Sequence, residues 1–107
     1  MEKRDLLKGS SDYLLLSLLA RQTMYGYQII KELNARSRGY FNFKEGTLYP
    51  ALHRLEKSGF IIGDWQVLPN GRQRRYYSLT ARGQTRLVNE KTRWQDFFRA
   101  VNLVLQP

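Results

Sequence analysis

The stretch from Glu45 to Gly83 constrains this chain more than any other. It reads EGTLYPALHRLEKSGFI, then WQVLPNGRQRRYYSLTARG after three residues. In the first part Leu48, Leu52 and Leu55 recur at i, i+4 and i+7, one face of an amphipathic helix. That helix starts near Gly46 and runs from Thr47 to Ser58. Pro50 fits its first turn, where a backbone N–H has no intrahelical acceptor. Gly59 supplies the C-cap. Next come two runs rich in apolar and aromatic residues, 60–67 and 74–79, flanking Pro69-Asn70-Gly71. Asn-Gly between such runs is a strong hairpin signal. Thr80 then caps a last helix from Ala81 to about Leu105. Helix, hairpin and helix in immediate succession leave few ways to fold a chain of 107 residues.

The remaining segments supply the body. Ser10, Ser11 and Asp12 are N-cap candidates for a helix from Tyr13 to about Arg21. Leu14, Leu15, Leu16, Leu18 and Leu19 make it apolar on most sides, so it needs cover on more than one face. One small chain can hardly provide that, which is a first pointer to an oligomer. Residues 22–24 form a connector. Gly26 opens a second helix, Tyr27 to about Arg36, with Ile30 and Leu33 as its inner stripe and Ile29 beside it. Gly39 closes it or begins the next loop, and residues 40–44 (YFNFK) form a strand or a packed loop. In the last helix Leu87, Trp94, Phe98, Val101 and Leu105 line one stripe, and Gly83 is a mild defect. At about 1.5 Å per residue this helix is a rod of roughly 37 Å, too long for the preceding body to cover. The expected architecture is mainly α with a small β-hairpin. It is a winged helix-turn-helix with a long C-terminal dimerisation helix, a single unit over 1–107 divided into body and wing (1–79) and dimerisation helix (80–107).

Charge narrows the chemistry. The formal net charge is +9, pointing to a polyanionic partner. Between Val67 and Arg99 eight basic residues face only two acids, so the excess is concentrated in the hairpin and last helix. With no cysteine, disulfides and thiolate chemistry are excluded, and a single histidine, His53, excludes a multi-His metal site within one chain. The carboxylates are scattered beside basic residues, and no phosphate-binding glycine loop is present, so neither an enzyme nor a cofactor is expected. The run from Leu14 to Ala20 is far shorter than the roughly 20 residues of a membrane span. A soluble, cytoplasmic protein is expected.

The DNA-facing candidates follow from position. With the leucine stripe facing inward, Thr47, Tyr49, Pro50, His53 and Arg54 occupy the outer faces of the third helix. Thr47 and Tyr49 can donate to phosphate oxygens, and Pro50 can meet a thymine methyl. Arg72, Arg74 and Arg75 in the hairpin suit phosphates or the minor groove. Strand alternation puts Arg74, Tyr76 and Ser78 on one side and Arg75, Tyr77 and Leu79 on the other. One of the paired arginines at most then follows a DNA face. The opposing readings are solvated Arg54, Tyr49 packed under the wing, and Tyr76 and Tyr77 as hairpin core.

These motifs together resemble the PadR family of bacterial transcriptional regulators. MYGYQIIKEL is similar to that family's second helix, GTLYPALHRLEKSG to its recognition helix, and NGRQRRYYSLTARG to its wing and the start of its C-terminal helix. The resemblance runs from about Leu6 to Leu105 and is to a short member without a large C-terminal effector domain. It implies a homodimer that binds a palindromic operator in double-stranded DNA, usually as a repressor. The implied DNA contacts are Tyr25 and Tyr27 at the second helix start, with Thr47, Tyr49, Pro50, His53, Arg72, Arg74 and Arg75. The implied dimer contacts are Leu14, Leu15 and Leu18 with Leu87, Trp94, Phe98, Val101 and Leu105. Some family members hold flat aromatic compounds between subunits, and Trp94 with Phe98 is the matching place for a small aromatic effector. Two rival functions share the charge. One is a winged-helix protein-interaction module, which has no need of three wing arginines. The other is an RNA-binding winged helix, which would favour structured RNA.

Overall fold

The computed structural model describes residues 3–107, with side chains from Ser10 onward; the first two residues of the expected unit lie outside the described residues. Seven elements follow in the order α1 (Lys3–Arg21), β1 (Met24–Tyr25), α2 (Gly26–Arg36), α3 (Glu45–Lys57), β2 (Ile61–Val67), β3 (Gln73–Leu79) and α4 (Ala81–Leu105). The leucine spacing read from the sequence builds the core. Leu48, Leu52 and Leu55 of α3 are buried, joined by Ala51, against Ile29 and Leu33 of α2 and four leucines of α1. Met24, Phe43, Ile61 and Tyr77 close the cluster from the sheet and the α2–α3 loop. Pro50 is carried in the helix as expected.

Four expectations change. First, α1 begins far earlier than Tyr13, so Ser10, Ser11 and Asp12 lie inside it. Ser11 is buried, and Asp12 is drawn to arginines of α3 and α4 instead of capping. Second, α1 is covered by its own chain: Leu15 is 0% and Leu18 4% exposed. Both belong to the intrachain core, where Leu14 is only partly buried. Third, the inner stripe of α2 is Ile29 and Leu33, with Ile30 at its margin. Fourth, the connector contains β1, which pairs antiparallel with β3 and makes the wing sheet three-stranded, in the order β1-β3-β2. Two residues give too little alternation to read as a strand. Residues 40–44 form a packed loop with Phe43 buried.

The hairpin is symmetric about Asn70, from Ile61 opposite Leu79 to Val67 opposite Gln73. Gly71 accepts the left-handed conformation that closes the turn, at φ 85°, and its N–H donates to the Leu68 carbonyl at 2.9 Å. The Asn70 side chain accepts from the Arg72 N–H at 3.0 Å. This combination fixes the register, and with it which side chains share each face.

Thr80 joins the wing to α4. Its N–H donates to the Phe60 carbonyl, and its hydroxyl donates to the Gly59 carbonyl at 2.7 Å while accepting from the Gly83 N–H at 3.0 Å. Gly83 is no mild defect: a Cβ there would collide with the Phe60 carbonyl. The start of α4 is thus bonded to the turn between α3 and β2. Its far end leaves the body, where Phe97, Phe98, Leu103, Val104 and Leu105 are exposed. The radius of gyration is 15.3 Å. A compact chain of this length has about 13 Å. The principal extents, 59 × 29 × 20 Å, show the elongation.

Candidate nucleic-acid interface

The core stripe of α3 leaves its other faces outward. Thr47, Pro50 and His53 are exposed along the first three turns, available to a groove. Tyr49 is also exposed but leans back across the start of α2, where it lies so close to Gly26 that a Cβ on that residue would clash with the phenol ring. It therefore braces α3 against α2 and offers one edge outward. Arg54 is half exposed, with one guanidinium nitrogen 2.5 Å from the Asp12 carboxylate of α1. Asp12 also faces Arg86 of α4 at 4.0 Å, and Arg86 and Arg93 both pair with Glu90, at 3.1 and 3.3 Å. Glu90 is buried because these two guanidinium groups satisfy it.

The wing sorts its arginines by strand face. Arg72 is exposed at the base of the turn. The Arg74 guanidinium carbon lies over the Tyr25 ring, 4.0 Å from its centroid, and Tyr25 meets Tyr76 edge-on at 5.4 Å. No carboxylate pairs with Arg74 among the described ion pairs. Arg75 takes the other face, 2.5 Å from the Glu56 carboxylate of α3. The same carboxylate accepts the Gly63 N–H at 3.2 Å, so Glu56 ties both wing strands to the recognition helix. Arg75 also lies 5.8 Å from the Trp65 ring and 5.6 Å from that of Tyr77. Its Nε is buried and has no acceptor. Burial pushes the Tyr77 phenol above its ordinary value, with the Arg75 charge pulling the other way.

The structure brings five of the ten DNA-facing sequence candidates together. Tyr25, Tyr27, Tyr49, Arg74 and Arg75 line a cleft of about 670 Å³ between the wing and the start of α2. Thr47, Pro50 and His53 stand exposed on the same α3 that supplies Tyr49. Arg54 and Arg75 are engaged with Asp12 and Glu56. Trp65, exposed and lining the cleft, was not among the candidates. The register would have found it, because Trp65 sits opposite Arg75 once Asn70 is taken as the hairpin centre. Glu56 and Asp12 were also missed; their partners lie 19 and 42 residues away, beyond any local spacing rule.

The candidates expected away from this face lie on α1 and α4. Leu87 packs against the core edge, while Trp94 forms an aromatic group with Phe97 and Phe98, at centroid distances of 5.7 and 5.6 Å. Phe98, Val101 and Leu105 are exposed. Among the described residues no cluster of three His, Cys, Asp or Glu could hold a metal ion, and no helix is long and apolar enough to cross a membrane.

Comparison with known proteins agrees with this geometry. Residues 15–89 match the model of the transcriptional regulator PadR-like family. A transcriptional regulator of Mycobacterium tuberculosis is 34% identical over 82 residues, 77% of this chain and 73% of that one. A transcriptional regulator from Clostridium thermocellum superposes with a TM-score of 0.87 at 30% identity, covering 95% of this chain and 99% of the other. A PadR-like regulator from Bacillus cereus gives 0.84 at 31% identity, covering 96% and 98%. The chain belongs to the PadR-like family of transcriptional regulators, winged helix-turn-helix proteins that act by binding DNA and not as enzymes.

Proposed function

We propose that the protein is a homodimeric, sequence-specific repressor that binds a palindromic operator in double-stranded DNA and is released by a small aromatic ligand. The observation that carries this reading is the pairing of an exposed recognition-helix face with a basic wing. Thr47, Pro50 and His53 stand on α3, while Arg72 and Arg74 of the wing have no carboxylate partner among the described ion pairs. Thr47, Pro50 and His53 then read bases. Tyr25, Tyr27, Tyr49, Arg72 and Arg74 hold the backbone, the usual division between specifying and positioning contacts. Arg54 and Arg75 reach DNA only by leaving Asp12 and Glu56, so their main work is to fix α3 and the wing in place. We take residues 1–79 as the DNA-binding part and 80–107 as the dimerisation helix of one domain.

The exposed apolar end of α4, with Leu14, Leu87 and Trp94 partly covered, supports a second copy as its partner. A dimer reading successive major grooves places its recognition helices about 34 Å apart. The ligand reading is supported by the Trp94 indole N–H, buried without an acceptor, and by a hollow of about 470 Å³ lined by Arg93, Trp94, Asp96 and Phe97. Protection of DNA upstream of the protein's own gene, followed in rising salt, tests the main reading. A two-fold symmetric footprint that survives competitor DNA is expected. Uniform protection that vanishes with salt would leave only charge-driven binding and defeat it.

A further inference from the structure

The outer half of the wing carries apolar surface that its basic charge does not account for. On β2 the residues that share one face are Ile61, Gly63, Trp65 and Val67, set opposite Leu79, Tyr77, Arg75 and Gln73 of β3. At its inner end this face is core: Ile61 is 2% and Tyr77 6% exposed. At its outer end it continues past the body, with Trp65 64% and Val67 70% exposed and Gln73 exposed beside them. Trp65 lines the same cleft as Tyr49 of α3, so the overhang lies on the recognition-helix side of the wing. Exposed apolar residues scattered singly need no explanation, but two successive members of one strand face, one of them an indole, form a continuous apolar edge.

That edge is held from behind. Arg75 crosses Gly63 so closely that a Cβ there would collide with its guanidinium group, and the Glu56 carboxylate pins it. Its guanidinium carbon lies 5.8 Å from the Trp65 ring. The charge of Arg75 is thus held inside the sheet, and the outer part of this face offers an indole, an isopropyl group and the Gln73 amide. Arg72 at the turn and Arg74 next along β3 have no carboxylate partner among the described ion pairs, so cations flank the apolar edge. An apolar edge between such cations matches the minor groove of duplex DNA, with phosphates along both rims and deoxyribose C–H surface on the walls. Against phosphates alone the indole would stay in water, and against an apolar protein face the arginines would lose theirs.

We propose that Trp65 and Val67 are specificity-determining residues. They lie along the sugar walls of the minor groove next to the recognition helix, with Gln73 toward the base edges, and select sites whose groove floor lacks the guanine 2-amino group. The inference rests on the reading of this face as the DNA interface and adds a shape requirement to it. The 2-amino group is the one donor on the minor-groove floor, since A·T pairs show acceptors only there. A valine side chain pressed against that group leaves it dry and unpaired, which weakens binding. A·T-rich segments also have narrow minor grooves, in which an apolar edge touches both walls. The discrimination carries no salt dependence of its own, because neither residue neutralises a phosphate.

The test uses the full chain and one mixed-sequence duplex made twice, with guanine and with inosine in its place. Inosine removes the 2-amino group and keeps the N7 and O6 acceptors of the major groove. The unsubstituted protein should bind the inosine duplex about tenfold more tightly. Val67→Ser and Trp65→Ala should bring the two duplexes to near-equal affinity with the salt slope unchanged, and Trp65→Phe should keep part of the preference. Val67 is exposed, so its variant keeps the test independent of folding. In a Trp94→Phe background Trp65 is the one tryptophan, and its emission should shift to the blue on binding. An inosine preference that survives both Val67→Ser and Trp65→Ala overturns the proposal, as does Trp65 emission that does not move. Binding to both duplexes with equal affinity sinks the proposal and leaves the DNA interface standing. Binding to neither defeats that interface and the proposal with it.

Discussion

At the level of single residues, the missing side chain at Gly26 shapes the interface as much as any arginine. Gly26→Ala would force Tyr49 off its seat. Overpacking of this kind costs about 1–3 kcal/mol. Urea denaturation should show that loss, and the double variant with Tyr49→Ala should be less destabilised than the two single changes summed. Arg74 and Arg75, adjacent in sequence, should behave differently. Arg72→Ala with Arg74→Ala should reduce the salt dependence of DNA binding by about 0.9 for each phosphate no longer neutralised, on every sequence alike. Arg75→Ala should leave that slope nearly unchanged and lower stability by about 1 kcal/mol, because it frees Glu56 and loosens the wing. Tyr77 supplies a pH signature. Its phenol is raised by burial, so the unfolded chain ionises first. Its contribution is complete below the ordinary phenol range and is lost as pH rises through the folded value, above about pH 10. Stability measured against pH should fall there, and Tyr77→Phe should flatten the fall.

At the level of elements, the ion pairs link what the sequence keeps apart. Asp12 of α1 stands between Arg54 of the recognition helix and Arg86 of α4. Asp12→Asn should lower stability by about 0.5–1 kcal/mol, since both partners are partly solvated. It should also raise non-specific DNA affinity by freeing Arg54; a fall in both would mean that the pair is needed to position α3. Such links explain what could be read in advance. Helices α2, α3 and α4 and the hairpin were legible because each carries its own periodicity and punctuation: the leucine stripe with Pro50, Asn70-Gly71, and Thr80 before α4. The start of α1 was not legible, because Ser10, Ser11 and Asp12 look like caps while Asp12 in fact serves a tertiary pair. Strand β1 was hidden because two residues show no alternation and exist as a strand only through Tyr76 and Tyr77. In the candidate site, the basic wing was legible as composition. The division of labour between Arg74 and Arg75 was half legible: alternation separates them, but only the fold brings Glu56 to one and Tyr25 to the other.

For the whole molecule, the decisive asymmetry is a body that satisfies itself and a helix that does not. Val101→Asp lies on the part of α4 beyond the core, where it disturbs nothing inside its own chain. It should leave the helical circular dichroism intact, shift the sedimentation coefficient to that of a monomer, and abolish symmetric protection of an operator. A monomer that still gave the symmetric footprint would show that α4 is not the joint. The bonding at Thr80 then acquires mechanical meaning. In a dimer joined through α4, that threonine is the hinge pin of a lever whose long arm is the helix. Tilting a rod of about 37 Å by about 5° displaces its end by about 3 Å. That is close to the roughly 3.4 Å step between base pairs. In such a dimer the hydrogen bonds of Thr80 would set the tolerance, to within one step of the double helix, on how far apart two half-sites can lie.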